Sequence, residues 1–242
     1  MYQPRTYRHW VQSPELASFS VTVKETDLYI AALRNLEREA RKLVIECRRL
    51  LEGYIKQHPP FLKSLKPLAV ADDAPAIVKE MARAAERVGV GPMAAVAGAV
   101  AEFVGRGLSA FSAEVIVENG GDIYLKSRVD RVVGIYAGGS PLSGKIGLKI
   151  EGGATPLGVC TSSGTVGHSL SLGRADAVVV IARWTALADA TATAIGNLIV
   201  STDDIPRGIE FARGIDGVDG LAIIKDDQLG VWGQVEICQM AA

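Results

Sequence analysis

The sequence predicts an α+β fold, an antiparallel sheet with helices packed on one side. Three observations predict it. Helical spacing of apolar residues dominates between Thr26 and Gly107, alternation with period two dominates from Ala113 onward, and glycine pairs mark turns in that second region. A βαβ winding would interleave the two periods along the chain instead. No repeat of fixed short period and no low-complexity linker divides the sequence, so residues 1–242 read as a single domain.

Taken in order, Thr6 to Val11 and Phe19 to Val23 alternate apolar and polar side chains about Ser13-Pro14-Glu15, which predicts an opening strand pair. Thr26-Asp27 leads into a long amphipathic helix with Leu33, Leu36, Ala40, Leu43, Cys47 and Leu51 on its apolar face. The opposite face carries Arg34, Glu37, Arg38 and Arg41, a solvated face laced with ion pairs. His58-Pro59-Pro60 stops that helix, and a loop runs to Asp73. Ala74-Pro75 starts a second helix that continues to about Val88, and a third, rich in Ala, Val and Gly, runs from Met93 to Gly107. Its small side chains allow close backbone approach. Strands are then expected at Glu114–Glu118, Ile123–Lys126, Val132–Tyr136 and Gly147–Ile150, with turns at Gly120-Gly121 and Gly138-Gly139. Val178 to Ala182 is a further strand, feeding a small-residue helix from about Leu187 to Val200. Pro206 to Phe211 suits a short helical turn, and Gly220 to Lys225 with Gly230 to Cys238 closes the chain as a hairpin about Asp226-Asp227.

Composition narrows the function. The 26 basic and 27 acidic residues leave a formal charge of −1, with no surplus of cations to bind nucleic acid by general electrostatics. Hydrophobic residues at 48% and charged ones at 22% describe a chain with a large core. The uncharged, helix-forming run Val88 to Ala101 is fourteen residues, and a membrane span needs about twenty. The N-terminus has no apolar signal region, and Cys47, Cys160 and Cys238 form no CxxC pair. These features predict a soluble, cytoplasmic protein with reduced thiols and no membrane partner.

Several familiar motifs are missing. The sequence has no GxxxxGK[ST], HExxH or GxSxG, and its three histidines are isolated. Three segments remain. Glu118-Asn119-Gly120-Gly121-Asp122 follows an apolar run, and its glycines permit positive φ and can leave N–H groups open to an anion. A plain hairpin turn explains the same residues. Cys160-Thr161-Ser162-Ser163-Gly164-Thr165 places hydroxyls where they can donate to phosphate oxygens, or simply forms a solvated turn. Ala188-Asp189-Ala190-Thr191-Ala192-Thr193 puts Asp189 and Thr193 on one helical face, an oxygen pair suited to Mg²⁺. Asp189 would equally serve the dipole at the start of a helix.

In that order, the three segments resemble the ApbE family, the FAD:protein FMN transferases. The resemblance covers about Gly91 to Asn197. It implies a T-fold-like architecture, FAD as ligand or substrate, and nucleotide-binding roles for Asn119, Gly120, Gly121, Asp122, Thr161, Ser162 and Gly164. It also implies that Asp189 and Thr193 hold Mg²⁺, with a backbone carbonyl near Ala97-Gly98 as the nearest third ligand. Asp122 and His168 are the candidates for proton transfer. The family's Asp-Pro-x-Thr-Gly element is replaced here by His168-Ser169-Leu170-Ser171-Leu172-Gly173, which keeps only the His and a Gly. Three functions stay open. They are a Mg²⁺-dependent FAD-binding protein that transfers FMN or cleaves the pyrophosphate, a non-catalytic flavin, pterin or purine binder, and a structural homo-oligomer packed through its small-residue helices.

Overall fold

The computed structural model describes residue 11 and residues 13–165 and 173–240. Strand β1 (Ala17–Val23) pairs with β2 (Thr26–Ala32), and most of the stretch expected to pair with it, Thr6 to Val11, lies outside the described residues. Val11 alone makes a bridge, to Val133. The segment expected to lead into a helix at Thr26 is therefore a strand. Leu28, Ile30 and Ala32 are buried with period two, and Lys24 takes the left-handed conformation (φ 52°) that closes a tight turn. The helix begins only at Glu37, whose N–H is accepted by the Asn35 side chain at 2.9 Å. Leu33, expected in its core, is exposed.

Helix α1 (Glu37–Gln57) buries Ala40, Val44, Cys47 and Leu51, and Pro59-Pro60 ends it in the single turn α2 (Pro60–Lys63). Burial pushes the Cys47 thiol up to about 12, so it is an inert core side chain. Helices α3 (Ala76–Val88) and α4 (Val96–Leu108) follow, with a 3₁₀ turn at Pro92–Ala95 between them. Gly89, at φ 77°, ends α3 in the left-handed conformation that glycine adopts without strain. Among the described residues no single helix is long and apolar enough to cross a membrane.

The remaining strands are β3 (Val115–Asn119), β4 (Asp122–Lys126), β5 (Arg131–Gly134), β6 (Ile146–Ile150), β7 (Leu157–Ser162), β8 (Ala177–Ala182), β9 (Val218–Lys225), β10 (Gln228–Gly233) and β11 (Glu236–Gln239). Two helices complete the chain, α5 (Thr185–Leu198) and α6 (Ile205–Arg213). Eight strands form one antiparallel sheet in the order β1-β2-β3-β4-β7-β8-β9-β10, and β11-β6-β5 form a second. The helices cover one face of the large sheet, where Leu28, Val117, Val180 and Leu221 meet Val44, Met81, Val104 and Ile195. The small sheet covers the other, where Ile116, Leu125, Val179 and Ala222 meet Val133, Leu148 and Ile150.

The sheet is thus a middle layer, and this explains two differences from the sequence reading. β8 reads Ala-Val-Val-Val-Ile-Ala without alternation because both of its faces are buried. The closing hairpin is interrupted after Gly233, and Glu236–Gln239 pairs with β6 in the other sheet.

A buried arginine holds the turn after β4. Arg131 is 3% exposed and meets Glu15 and Glu114 at 2.5 Å each, and its Nε donates to Ser127 Oγ at 2.9 Å. Burial pushes the Glu114 carboxyl up, but hydrogen bonds from Arg131, Ser127 and the Arg128 N–H outweigh it and hold the group below its ordinary range. Arg131→Met leaves the buried Glu114 without its cation and is expected to cost about 3–5 kcal/mol in urea unfolding at pH 7. Adding Glu114→Gln should restore part of that loss. The ion-pair contribution is present above pH 4.5 and is lost as pH falls through the lowered folded value. An unchanged urea midpoint in Arg131→Met would remove the network from the list of stabilising features.

Candidate functional site

Three separate stretches of sequence meet on the helix-covered face of the large sheet. Asp122 opens β4, and its side chain lies beside Cys160 and the Thr161 amide of β7, which donates to Asp122 Oδ1 at 3.3 Å. Helix α5 lies across β7. A Cβ at Gly158 would sit 2.5 Å from Thr185 Cα, and one at Gly196 would sit 3.1 Å from Ser162 Oγ. The start of α4 closes the third side, because a Cβ at Gly98 would lie 2.6 Å from the Thr185 carbonyl and 2.8 Å from Asp189 Cβ. No other residue fits between these two helices.

That approach places Asp189 where its Oδ2 accepts the Gly98 N–H at 2.8 Å. Asn119, at the end of β3, donates to the Ala97 carbonyl at 3.0 Å and ties the β3–β4 hairpin to the same helix start. Asp122 and Asp189 are both buried, and among the described residues neither forms an ion pair with a basic side chain. Burial raises the Asp122 carboxyl well above its ordinary value, and the Asp189 charge raises it further. Burial likewise pushes Asp189 up to about 7, against the N–H groups of Gly98 and Ala97. Cys160 is raised by burial and by both acids, and its Sγ donates to the Thr185 carbonyl at 3.4 Å. It is a protonated neighbour, not a thiolate ligand.

The sequence-predicted residues are mostly brought together. Asn119, Asp122, Thr161, Ser162 and Asp189 border one region, and half-buried Thr193 follows Asp189 by one helical turn on the same face. Gly121, at φ 109°, lies beside Thr161, whose Cβ would be 3.9 Å from a Cβ there. Three details depart from the expectation. Cys160, Thr161 and Ser162 belong to a strand, because their backbone pairs with β8. The Gly121 N–H is not open to a ligand, since it donates to Glu118 Oε1 at 2.9 Å. The Gly164 N–H is likewise used, donating to the Ala175 carbonyl at 2.9 Å, and Gly164 packs against Gly173. Gly120, also at positive φ (69°), shapes the turn with nothing near its Cβ position. His168 lies outside the described residues.

Sequence reasoning missed Glu102. Helix α5 starts at Thr185, so Asp189 stands in its second turn and does not cap it. The cap comes from α4, where Glu102 Oε2 accepts the Thr185 and Ala186 N–H groups at 2.9 and 3.4 Å. Arg106 pairs with the other oxygen of Glu102 and reaches Glu80 at 3.2 Å. A lone acid closing the long uncharged run of α4 was the available signal.

The donor set suits a hard cation. Among the described residues, two buried acids without a basic partner, a hydroxyl one turn from Asp189 and nearby carbonyls offer oxygen ligands and no thiolate or imidazole. Among the described residues no three His, Cys, Asp or Glu side chains gather into a metal cluster, so carbonyl and hydroxyl oxygens would have to complete the shell. The Ala97 carbonyl accepts from Asn119, which leaves its second lone pair for a cation.

Two outcomes are expected. Gly98→Ala should destabilise by about 1–3 kcal/mol through overpacking against Thr185 and Asp189, read from a urea midpoint. In cation-free buffer, a raised Asp189 lets the native state keep a proton that the unfolded chain releases. Stability from this group is therefore full below pH 3.8 and is lost as pH rises through about 7. Asp189→Asn should flatten that part of the pH–stability curve, and a slope identical to the parent would refute the assignment.

A family model described as AbpE bacteria matches residues 8–210. The UPF0280 protein of Methanococcus aeolicus is 46% identical over 201 residues, 81% of each chain. That of Methanococcus vannielii is 44% identical over 227 residues, 91% of this chain and 92% of the relative. Among solved structures, the flavin transferase ApbE from Vibrio cholerae superposes with a TM-score of 0.57 at 16% identity, over 90% of this chain and 96% of that one. At that identity the likeness is one of fold, and it agrees with the α+β class predicted from sequence.

Proposed function

The chain belongs to the AbpE bacteria family, and from that premise we propose a Mg²⁺-dependent, FAD-binding protein that transfers FMN or cleaves the FAD pyrophosphate. The observation that carries the proposal is the pair of buried, mutually repelling acids Asp122 and Asp189, which have no basic side chain to neutralise them among the described residues. A divalent cation relieves that repulsion. When bound it would neutralise charge on the pyrophosphate and on the departing AMP. Asp189 and Thr193 would hold it. The Asn119–Asp122 turn and the Thr161–Ser162 end of β7 would border the nucleotide. Asp122, once a bound cation favours its ionised form, would be placed to take the proton of an attacking hydroxyl or water, and His168 is the second candidate for that role. The flavin transferase activity of the Vibrio cholerae protein supports the choice of ligand class. The free thiols Cys47, Cys160 and Cys238 suit a reducing cytoplasm.

A second reading has its own support. The sequence from His168 to Gly173 stands where the family has Asp-Pro-x-Thr-Gly, which favours a protein that binds a flavin, pterin or purine and leaves it whole.

Calorimetric titration with FAD and Mg²⁺, paired with chromatography for AMP, separates these readings. Asp189→Asn should abolish Mg²⁺-dependent FAD binding while the fold survives. Thr193→Val, which removes one neutral ligand, should weaken it about tenfold. Binding without AMP would favour the non-catalytic reading. Unchanged binding in Asp189→Asn would end the metal-site proposal.

A further inference from the structure

A second polar site lies at the other end of β4. Asp122 begins that strand and Lys126 ends it, about 13 Å away at the usual rise per residue. There Lys126, Ser127 and Arg128, together with Gly152, Gly153 and Thr155, line an open cavity of about 330 Å³. The two charged side chains in its wall are both basic. Among the described residues neither has an acidic partner.

The acids nearby are already used. Glu114 is held by Arg131, Ser127 and the Arg128 N–H, and Asp130 by Lys149 and the Gly152 N–H. The hydroxyls are used as well. Thr155 Oγ1 donates to the Ser127 carbonyl at 2.6 Å and accepts the Ser127 N–H at 3.0 Å, and Ser127 Oγ donates to Glu114 at 3.0 Å. These bonds fix the backbone that carries the two cations. Gly152 fixes it from the other side, since a Cβ there would lie 2.4 Å from the Arg128 carbonyl carbon. Gly153, by contrast, has nothing within 4 Å of its Cβ position, and its N–H has no protein acceptor among the described residues. The turn is therefore held by hydrogen bonds within the protein, while half-buried Lys126, exposed Arg128 and the exposed Gly153 N–H line the cavity without a protein partner among the described residues.

We propose that this cavity binds a phosphoryl dianion, either free phosphate or the phosphate of a small phosphorylated metabolite. Two cations of different reach on a fixed turn match the double charge of phosphate better than the single charge of a carboxylate. A preorganised site also spares the ligand the cost of ordering the loop. The proposal is independent of the metal site, because it shares no residue with it.

Amide chemical-shift titration of the full chain tests it. Inorganic phosphate is added at constant ionic strength, then a phosphomonoester such as glycerol phosphate, with sodium acetate as the carboxylate control. Saturable shifts confined to residues 126–128 and 152–155, stronger with phosphate than with acetate, are expected. A further affinity gain for the ester over inorganic phosphate would identify a metabolite as the ligand, and parity would identify free phosphate. Lys126→Gln with Arg128→Gln, both on a turn anchored by other groups, should weaken binding about tenfold or more and leave the rest of the spectrum in place. Shifts that never saturate, that acetate reproduces, or that survive in the double variant would overturn the proposal.

Discussion

Helices α4 and α5 touch through backbone, and the candidate site exists because they do. Gly98 and Thr185 stand so close that any Cβ at position 98 would collide with a carbonyl oxygen. The same approach delivers a backbone N–H to Asp189 and a carboxylate, Glu102, to the opposite helix's first turn. Each helix therefore satisfies a polar group that the other buries. Unmet, either would cost about 1–3 kcal/mol or more, since a buried charge without partners is among the most expensive groups a core can hold. The run of Ala and Gly in both helices follows from this need for proximity. Larger side chains would separate the helices and leave both acids without their donors.

The same geometry leaves a surplus of negative charge. Gly98 and Ala97 offer N–H groups to Asp189 and Thr161 offers one to Asp122, which is too little to stabilise two carboxylates in a buried setting. Burial wins, and both acids shift toward the protonated form. A cation held there, as proposed, would be bound with release of protons from these acids. Glu114 behaves differently, because Arg131 and its other donors hold it below its ordinary range, whereas deeply buried Glu102 is raised despite Arg106.

Much of this was legible in the sequence where the signal is local. The spacing of Asp189 and Thr193, the glycine pair at 120–121 and the small-residue helices each follow from short-range pattern, and the structure puts them in one place. The failures have a common physical origin in tertiary burial. Thr26 to Ala32 was expected to start a helix because Leu33 and Leu36 extend its apolar spacing, yet pairing with β1 imposes period two. β7 escaped notice because Leu157-Gly-Val-Cys-Thr-Ser mixes small and polar residues, and its strand character comes from neighbours on both sides. Glu102 is 83 residues from the N–H it caps, a separation no local pattern spans. The use of the Gly121 and Gly164 amides within the protein was equally invisible, because a turn's sequence does not say which acceptor arrives.

The last strand, β11, leaves the large sheet's edge after Gly233 and completes the small sheet beside β6. Seen as an event in synthesis, this makes one short segment the fastener for two layers. Every other described strand has left the ribosome before Glu236 emerges. Until then Leu148 has no β11 neighbour, and the small sheet consists of the β5–β6 pair alone, which is marginal by itself. Ile237 and the Val235 beside it join that layer last. The nascent chain thus exposes an unpaired β6 edge from the emergence of Ile146–Ile150 until Glu236–Gln239 follows, an interval in which open strand edges recruit wrong partners.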